Sequence, residues 1–484
     1  MHRQPHPVRP ALHPARLLGR ATLADLPAGI GRPSYDLADL RPGIVHLGVG
    51  GFHRAHQAVY LDRLAELDSS LGWSVTGVGL RSCGARDELL AQDGLYTVIE
   101  RDDAAEDARV VGVLRDYLSA HQQPGAVRAA LSDPRTRLVT LTVTAPTYGL
   151  PASDGDVFAL LARACHERRR RGAGPLTVLS CDNLPRNGDA TRRRVLAAAA
   201  RVSEDLAAWI ERCVAFPNSM VDRITPPPSA SDHKHLRQRY GVHDRAPVVT
   251  ERFAQWVVED AFAGDRPALE EVGVQLTTDV APFVDLKTRV LNGAHLAIGF
   301  LSRGSTHTST DEVMTDRALR PLIERMLLTE VAPGLPHVPG IDLRSYRSEV
   351  LGRLTQPALA DPLARLRRRG SVRMAGYLVP SLEAAVAEGR DHEILLSVVA
   401  GWVEHLADAA RSISAGTVSR RAVLDQLADP AADRLLPLAS RAALDVRPFL
   451  AAAPGFERLR KDAGFTAALQ RRLDAEEKTS ATAS

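Results

Sequence analysis

Four short runs of apolar and β-branched residues punctuate the first half of the chain: "IVHLGV" (44–49), "SVTGVGL" (74–80), "RLVTLTVT" (137–144) and "LTVLSC" (176–181). Each has the length and composition of a strand buried in a parallel sheet. Helix-period segments lie between them, such as "HRAHQAVYLDRLAEL" (53–67) and "DATRRRVLAAAARVSEDLAAWIERCV" (189–214). Strands alternating with helices predict an α/β fold, a Rossmann-like doubly wound domain over residues 41–285. The pattern then changes. Segments 287–302, 312–330, 392–415, 419–428 and 456–473 all repeat apolar positions at helical spacing, which predicts a second, mainly helical domain over 286–475. Residues 1–40 open with "MHRQPHPVRPALHPARLLGR" and are expected to form a loosely ordered extension; 476–484 are expected to be a flexible tail. "ITPPPSA" (224–230) is expected to be a loop.

Composition narrows the class. At 484 residues the chain is too long for one core. Lys and Arg number 61 against 58 Asp and Glu, a near balance that gives no support to a nucleic-acid partner. No stretch approaches the 18 or so apolar residues of a membrane span, and the start lacks the apolar core of a secretion signal. The four cysteines, Cys83, Cys165, Cys181 and Cys213, form no CxxC pair. That points to a reducing, cytoplasmic setting. The expected partner is a small molecule, with the chain a monomer or a small homo-oligomer.

"IVHLGVGGFHRAH" runs a strand into Gly48, Gly50 and Gly51 and then into a helix. Glycines there let a backbone approach a pyrophosphate, and the helix N-terminus supplies free N–H groups. An ordinary tight βα turn has the same pattern, and His53 stands where the usual G-x-G-x-x-G has its third glycine. Position favours a dinucleotide site, with Arg54 and His56 near the phosphates or the nicotinamide half. After the second strand comes Arg81, with no acidic residue before Asp87. An acidic residue would take ribose hydroxyls and an arginine would suit a 2′-phosphate, so NAD and NADP both stay open.

"KTRVLNGAHL" (287–296) places Lys287, Asn292 and His295 on an otherwise apolar helix. At about 100° per residue Asn292 and His295 lie roughly 60° apart, with Lys287 on the adjoining side. Oxidising a secondary alcohol by hydride transfer also requires a base for the hydroxyl proton. A lysine serves if desolvation brings its pKa from about 10.4 toward 7–8. An amide and an imidazole can hold the developing alkoxide. Each residue is also an ordinary structural choice at its position. "SCDNLPRNGDATRR" puts Asp182, Asn183 and Asn187 after a strand, where open α/β sheets bind ligands, although an Asx turn would account for Asn183 equally. His233 and His235 are spaced like a metal pair, but no nearby cysteine completes a site. "HERRRRG" (166–172) and "RLRRRG" (365–370) read as solvated faces.

Taken together, "GVGGFHRAHQAVYLDRL", "GVGLRS", "AQDGLYT", "VLSCDNLPRNG", "FPNSMVDRITP", "QWVVEDAF", "DLKTRVLNGAHLA" and "PHVPGIDLRSY" resemble the long-chain mannitol dehydrogenase family of polyol-specific dehydrogenases. The resemblance implies a two-domain, zinc-independent enzyme with its active site between the domains and no metal. It implies NAD(P)-dependent interconversion of a polyol and its 2-ketose. D-mannitol and D-fructose come first; fructuronate with mannonate, or another hexitol or pentitol, are alternatives. Lys287 would be the general acid/base, Asn183 and Asn292 the oxyanion-holding pair, and His295 the residue that orients substrate. Arg365 and Arg373 would contact substrate hydroxyls. The turn Gly48, Gly50, Gly51, Phe52 and Arg54, with Arg81, would hold the cofactor, and Asp222 would lie near its nicotinamide end. The chain departs from the family pattern at Cys83, at Ala145 in "TVTAPTYG" and at Val284, where acidic residues are usual, and at Arg373, where lysine is common. A dinucleotide-binding sensor without turnover is the reading from a different class.

Overall fold

Six parallel strands form the main sheet: β1 (Pro42–Leu47), β2 (Ser74–Gly79), β3 (Leu114–Ser119), β4 (Leu138–Leu141), β5 (Leu176–Ser180) and β6 (Val214–Ala215). Their order across the sheet is β3-β2-β1-β4-β5-β6. This is the doubly wound dinucleotide-binding order, in which the chain reverses direction after β3 and the switch point falls beside β1. The computed structural model describes residues 15–482 except 68–70, 81–83, 104, 152 and 154. The chain divides into two compact units, Met1–Ala281 and Pro282–Ser484.

Side chains alternate along β1, so both sheet faces are covered. Val45 and Leu47 join one core with Val139, Leu141 and Val178. Ile44 joins the other with Val75, Leu138 and Trp256. Helix α1 (Gly51–Ala55) leads through His56 into α2 (Gln57–Ala65); further along, α3 (Val157–Arg171) precedes β5 and α4 (Asn187–Ala200) follows it. The four strands expected from sequence are present. Strand β3 escaped that reading because its "LRDYLS" lies at the sheet edge, where Arg115 and Asp116 face solvent. The long helical segment 189–214 is two helices, since Ser203 accepts from the Leu206 N–H and starts a second one at Glu204.

Three expectations need correction. Arg16–Leu17 pair in parallel with Val242–His243, and Leu18, Leu26, Ile30 and Leu40 are buried, so residues 16–40 are packed elements of the first unit and no loose extension. The last helix runs Ala463–Thr482, which makes most of the expected tail helical. Within "HERRRRG", Arg168 is fully buried and no part of a solvated face.

The second unit is helical. Its centre is α5 (Gly293–Leu301), which buries Leu296, Ile298 and Phe300. The 22-residue α6 (Glu393–Ser414) crosses α5 closely at Gly401, where an added Cβ would lie 2.8 Å from the Phe300 carbonyl. Each large apolar side chain so buried contributes roughly 1.5–3 kcal/mol. Among the described residues no helix is long and apolar enough to cross a membrane.

Candidate active site

The glycine turn follows β1 at the switch point. Gly48 has φ +97°, and a Cβ there would come within 2.4 Å of the Thr142 carbonyl, so only glycine fits. Gly50 and Gly51 differ. Among the described residues, a Cβ on either meets no atom nearer than 3.9 Å and no side chain caps α1. The turn is therefore an open cradle edged by uncapped N–H groups, which fits a dinucleotide pyrophosphate. Gly50 is extended (φ −116°), a conformation any residue adopts. Gly50→Ser should improve the helix cap and preserve thermal stability. Its hydroxyl takes the place and the donors a phosphate needs, so the KM for a dinucleotide should rise roughly tenfold or more. An unchanged KM would show that the cradle holds nothing.

His53 replaces the third glycine for a packing reason. Its ring stacks on His46 of β1 at 3.5 Å with 12° between planes, and both rings are fully buried. His46 bonds the hydroxyls of Thr140 and Thr142. Burial pushes His46 down to about 3 and His53 well below its usual value, so two neutral rings form the helix–strand contact.

The other cofactor candidates separate. Arg54 is buried, donates to the Ala246 carbonyl and lies over the Tyr96 ring at 5.4 Å. The guanidinium expected near the phosphates or the nicotinamide half ties α1 to the interior. His56 is likewise internal, with Nε2 on the Gln255 carbonyl at 2.9 Å. Phe52 is half-buried, with its ring stacked on His56 at 5.0 Å. Asp222 is buried at the end of strand Ser219–Asp222. The segment after it borders the turn, since Arg223 donates to the Ala55 carbonyl and Thr225 lies 3.9 Å from a Cβ built on Gly51. Arg81 lies outside the described residues. Asn183 is exposed just beyond the C-terminal end of β5.

In the second unit, residues 287–292 form a π-turn between the helix Ala281–Leu286 and α5. The Gly293 N–H bonds the carbonyl of Thr288, five residues back. Regular α-helical spacing put Lys287 to one side of Asn292. With five-residue closure the two stand one turn apart on one face, and His295 follows an α-helical turn later. Lys287 is buried at 7 % exposure. The Asn292 Nδ2 is buried with no hydrogen-bond partner among the described residues. His295 Nδ1 donates to the Leu291 carbonyl at 3.1 Å, which fixes the tautomer and leaves Nε2 an acceptor. Burial, reinforced by the charges of Arg365, Arg353 and Arg373 and opposed by Asp361, pushes the imidazole down to about 4. Arg365 forms a forked pair with the buried Asp361 carboxylate. Arg373 donates from Nη1 to the Leu366 carbonyl at 2.7 Å.

The structure thus gathers Lys287, Asn292, His295, Arg365 and Arg373 in the second unit. It adds Arg353 and Asp361, which sequence reasoning missed because nothing in their local pattern distinguishes them from surface charges. His233 and His235 do not form a pair: one contacts the Asp244 carbonyl, the other Glu106. Among the described residues no group of three or more His, Cys, Asp or Glu is placed to hold a metal ion.

A parallel sheet in this order with a glycine turn after its first strand, followed by a helical unit bearing a buried lysine beside an amide and an imidazole, defines a nucleotide-dependent dehydrogenase of the Rossmann class. The model of the mannitol dehydrogenase Rossmann domain matches residues 42–271, and that of the mannitol dehydrogenase C-terminal domain matches 279–475. The chain belongs to the mannitol dehydrogenase family. It is 40% identical over 395 residues to mannitol 2-dehydrogenase of Cereibacter sphaeroides, covering 77% of this chain and 83% of that protein. The structure of Pseudomonas fluorescens mannitol 2-dehydrogenase in ternary complex with NAD and D-mannitol superposes with a TM-score of 0.84 at 37% identity, over 97% of this chain and 98% of that one. A substrate-free D-sorbitol dehydrogenase superposes with a TM-score of 0.81 at 32% identity, over 94% and 96%.

Proposed function

We propose that this chain is an NAD-dependent polyol dehydrogenase that interconverts D-mannitol and D-fructose. One observation carries the reading of the site: the buried Asn292 Nδ2, without a partner among the described residues, one turn from the buried Lys287. An orphaned buried donor is costly unless a ligand takes its hydrogen bond, and the alkoxide of a reacting alcohol is such a ligand. NAD, when bound, supplies the hydride acceptor. The neutral Lys287 amine takes the hydroxyl proton. Asn292 donates to the oxygen as its charge develops, the family resemblance gives Asn183 the same oxyanion-holding role, and Nε2 of His295 accepts from a neighbouring hydroxyl. Arg365 and Arg373 hold the more distant hydroxyls, and Asp361 fixes the Arg365 fork. At the other end, the uncapped N–H groups beside Gly50 and Gly51 bind the pyrophosphate.

The three arginines whose charges act on His295 support a second reading, a ketose bearing a carboxylate, such as fructuronate. The test is a panel of D-mannitol, D-sorbitol and D-arabinitol with NAD and NADP, and of D-fructose and D-fructuronate with NADH and NADPH, followed by nicotinamide absorbance. D-mannitol with NAD should give the highest kcat/KM. A higher value for fructuronate than for fructose would select the second reading, and no turnover with any pair would leave a dinucleotide-binding sensor.

A further inference from the structure

The peptide that displays Asn183 is fastened from below by groups with no part in the mechanism above. Asp182, only 5 % exposed, lies two residues beyond the end of β5 and directly precedes Asn183. Its carboxylate accepts from the Thr144 N–H at 2.6 Å, from the Tyr148 hydroxyl at 2.8 Å and, more weakly, from Ser180 Oγ at 3.4 Å. Tyr148 and Thr144 belong to the segment after β4, the strand paired with β5. The clamp therefore joins the C-terminal ends of two adjacent strands, where an open α/β sheet binds its ligand. The main chain of Asp182 is held as well: Asn187 Nδ2 donates to its carbonyl at 3.0 Å, while Asn187 Oδ1 accepts from the Ser219 N–H at 2.9 Å.

Two features set this network apart from ordinary turn packing. Thr144 has φ +74°, a left-handed conformation that a β-branched residue adopts only where the surroundings impose it. Its N–H is the donor aimed at Asp182. The carboxylate itself is out of water, and burial raises its pKa against the donors that hold it. Apolar side chains would pack the same turn without that desolvation. A carboxylate ringed by directional donors fixes the angle of a peptide, which apolar packing does not.

We propose that Tyr148 and Asp182 form a positioning pair that aims the Asn183 amide at the reacting oxygen, an inference that rests on the role given to Asn183 above. Neither residue touches substrate. Tyr148→Phe keeps the ring against Phe158, 5.2 Å away between centroids, and removes the hydroxyl contacts to Asp182, Ser180 and Thr191.

The experiment is a cycle of four proteins: wild type, Tyr148→Phe, Asn183→Ala and the double variant. kcat and KM for D-mannitol, NAD affinity and thermal melting are measured on each. Tyr148→Phe should lower kcat roughly tenfold or more, as a displaced catalytic group does. NAD affinity should stay within about twofold. In the Asn183→Ala background Tyr148→Phe should have no further effect on kcat. Asp182→Asn, which keeps one oxygen for the Thr144 N–H, should reproduce the pattern. Unchanged kcat in Tyr148→Phe, or the same fold loss in both backgrounds, would overturn the pair. Full activity in Asn183→Ala is a separate result, and it would remove the role of Asn183 beneath it.

Discussion

Replacing Lys287 with alanine should lower kcat for polyol oxidation by about 10²–10⁴-fold, the usual contribution of a general base. The loss falls on kcat and on kcat/KM alike, because the proton moves only in the transition state. NAD affinity should persist, since the glycine cradle belongs to the first unit. Alanine is a good helix former, and Lys287→Met keeps most of the buried stem, so two variants separate loss of the amine from loss of packing. Lys287→Arg should not restore turnover, because a guanidinium does not give up its proton near neutral pH. Steady-state kinetics with an NAD titration on each variant provides the check. Near-normal kcat in the alanine and methionine variants would take the amine out of the reaction.

Arg168→Met should cost the first unit roughly 3–5 kcal/mol, the usual result of removing one side of a buried charged network. The Arg168 side chain reaches from α3 into the interior, where all its hydrogen bonds go to backbone carbonyls. Nη1 donates to Leu131, Asp133 and Thr136, which precede β4. Nη2 donates to Ala173, Gly174 and Pro175, which precede β5. One planar fork thus ties together the loops that feed two neighbouring strands. Methionine fills much of the volume but leaves those carbonyls without a donor. Lysine offers a single nitrogen and cannot serve both sets, so Arg168→Lys should recover little. Thermal melting should fall by about 10 °C for a domain of this size. A change under about 2 °C would show that water replaces the guanidinium without cost.

Strands β1, β2, β4 and β5 were legible because each is buried on both faces and so is a short run of mostly apolar and β-branched residues without a charge. Edge strand β3 was not, since at the sheet edge the consecutive residues Arg115 and Asp116, on opposite faces, both reach solvent and break the apolar run. The glycine turn was legible because only glycine tolerates the backbone at Gly48. The fate of Arg54 was not, because its partners Ala246 and Tyr96 lie far along the chain. Lys287, Asn292 and His295 could be singled out as polar groups on an apolar helix, although their relative angles could not. The π-turn that aligns them depends on packing against the rest of the helical unit: the π-turn residue Arg289 is anchored to Ser381 and the Gly334 carbonyl.

By itself, then, the sequence determined where the strands, the glycine turn and the polar residues of the apolar helix lie, because those features are written in local periodicity and backbone sterics. Only the tertiary structure decided which charges turn inward, as Arg54 and Arg168 do, and which arginines gather around His295. It also decided how Asp182 and Tyr148 brace the end of β5. Each of these rests on contacts between residues distant in the chain, whose free energy exists only once the backbone has brought them together.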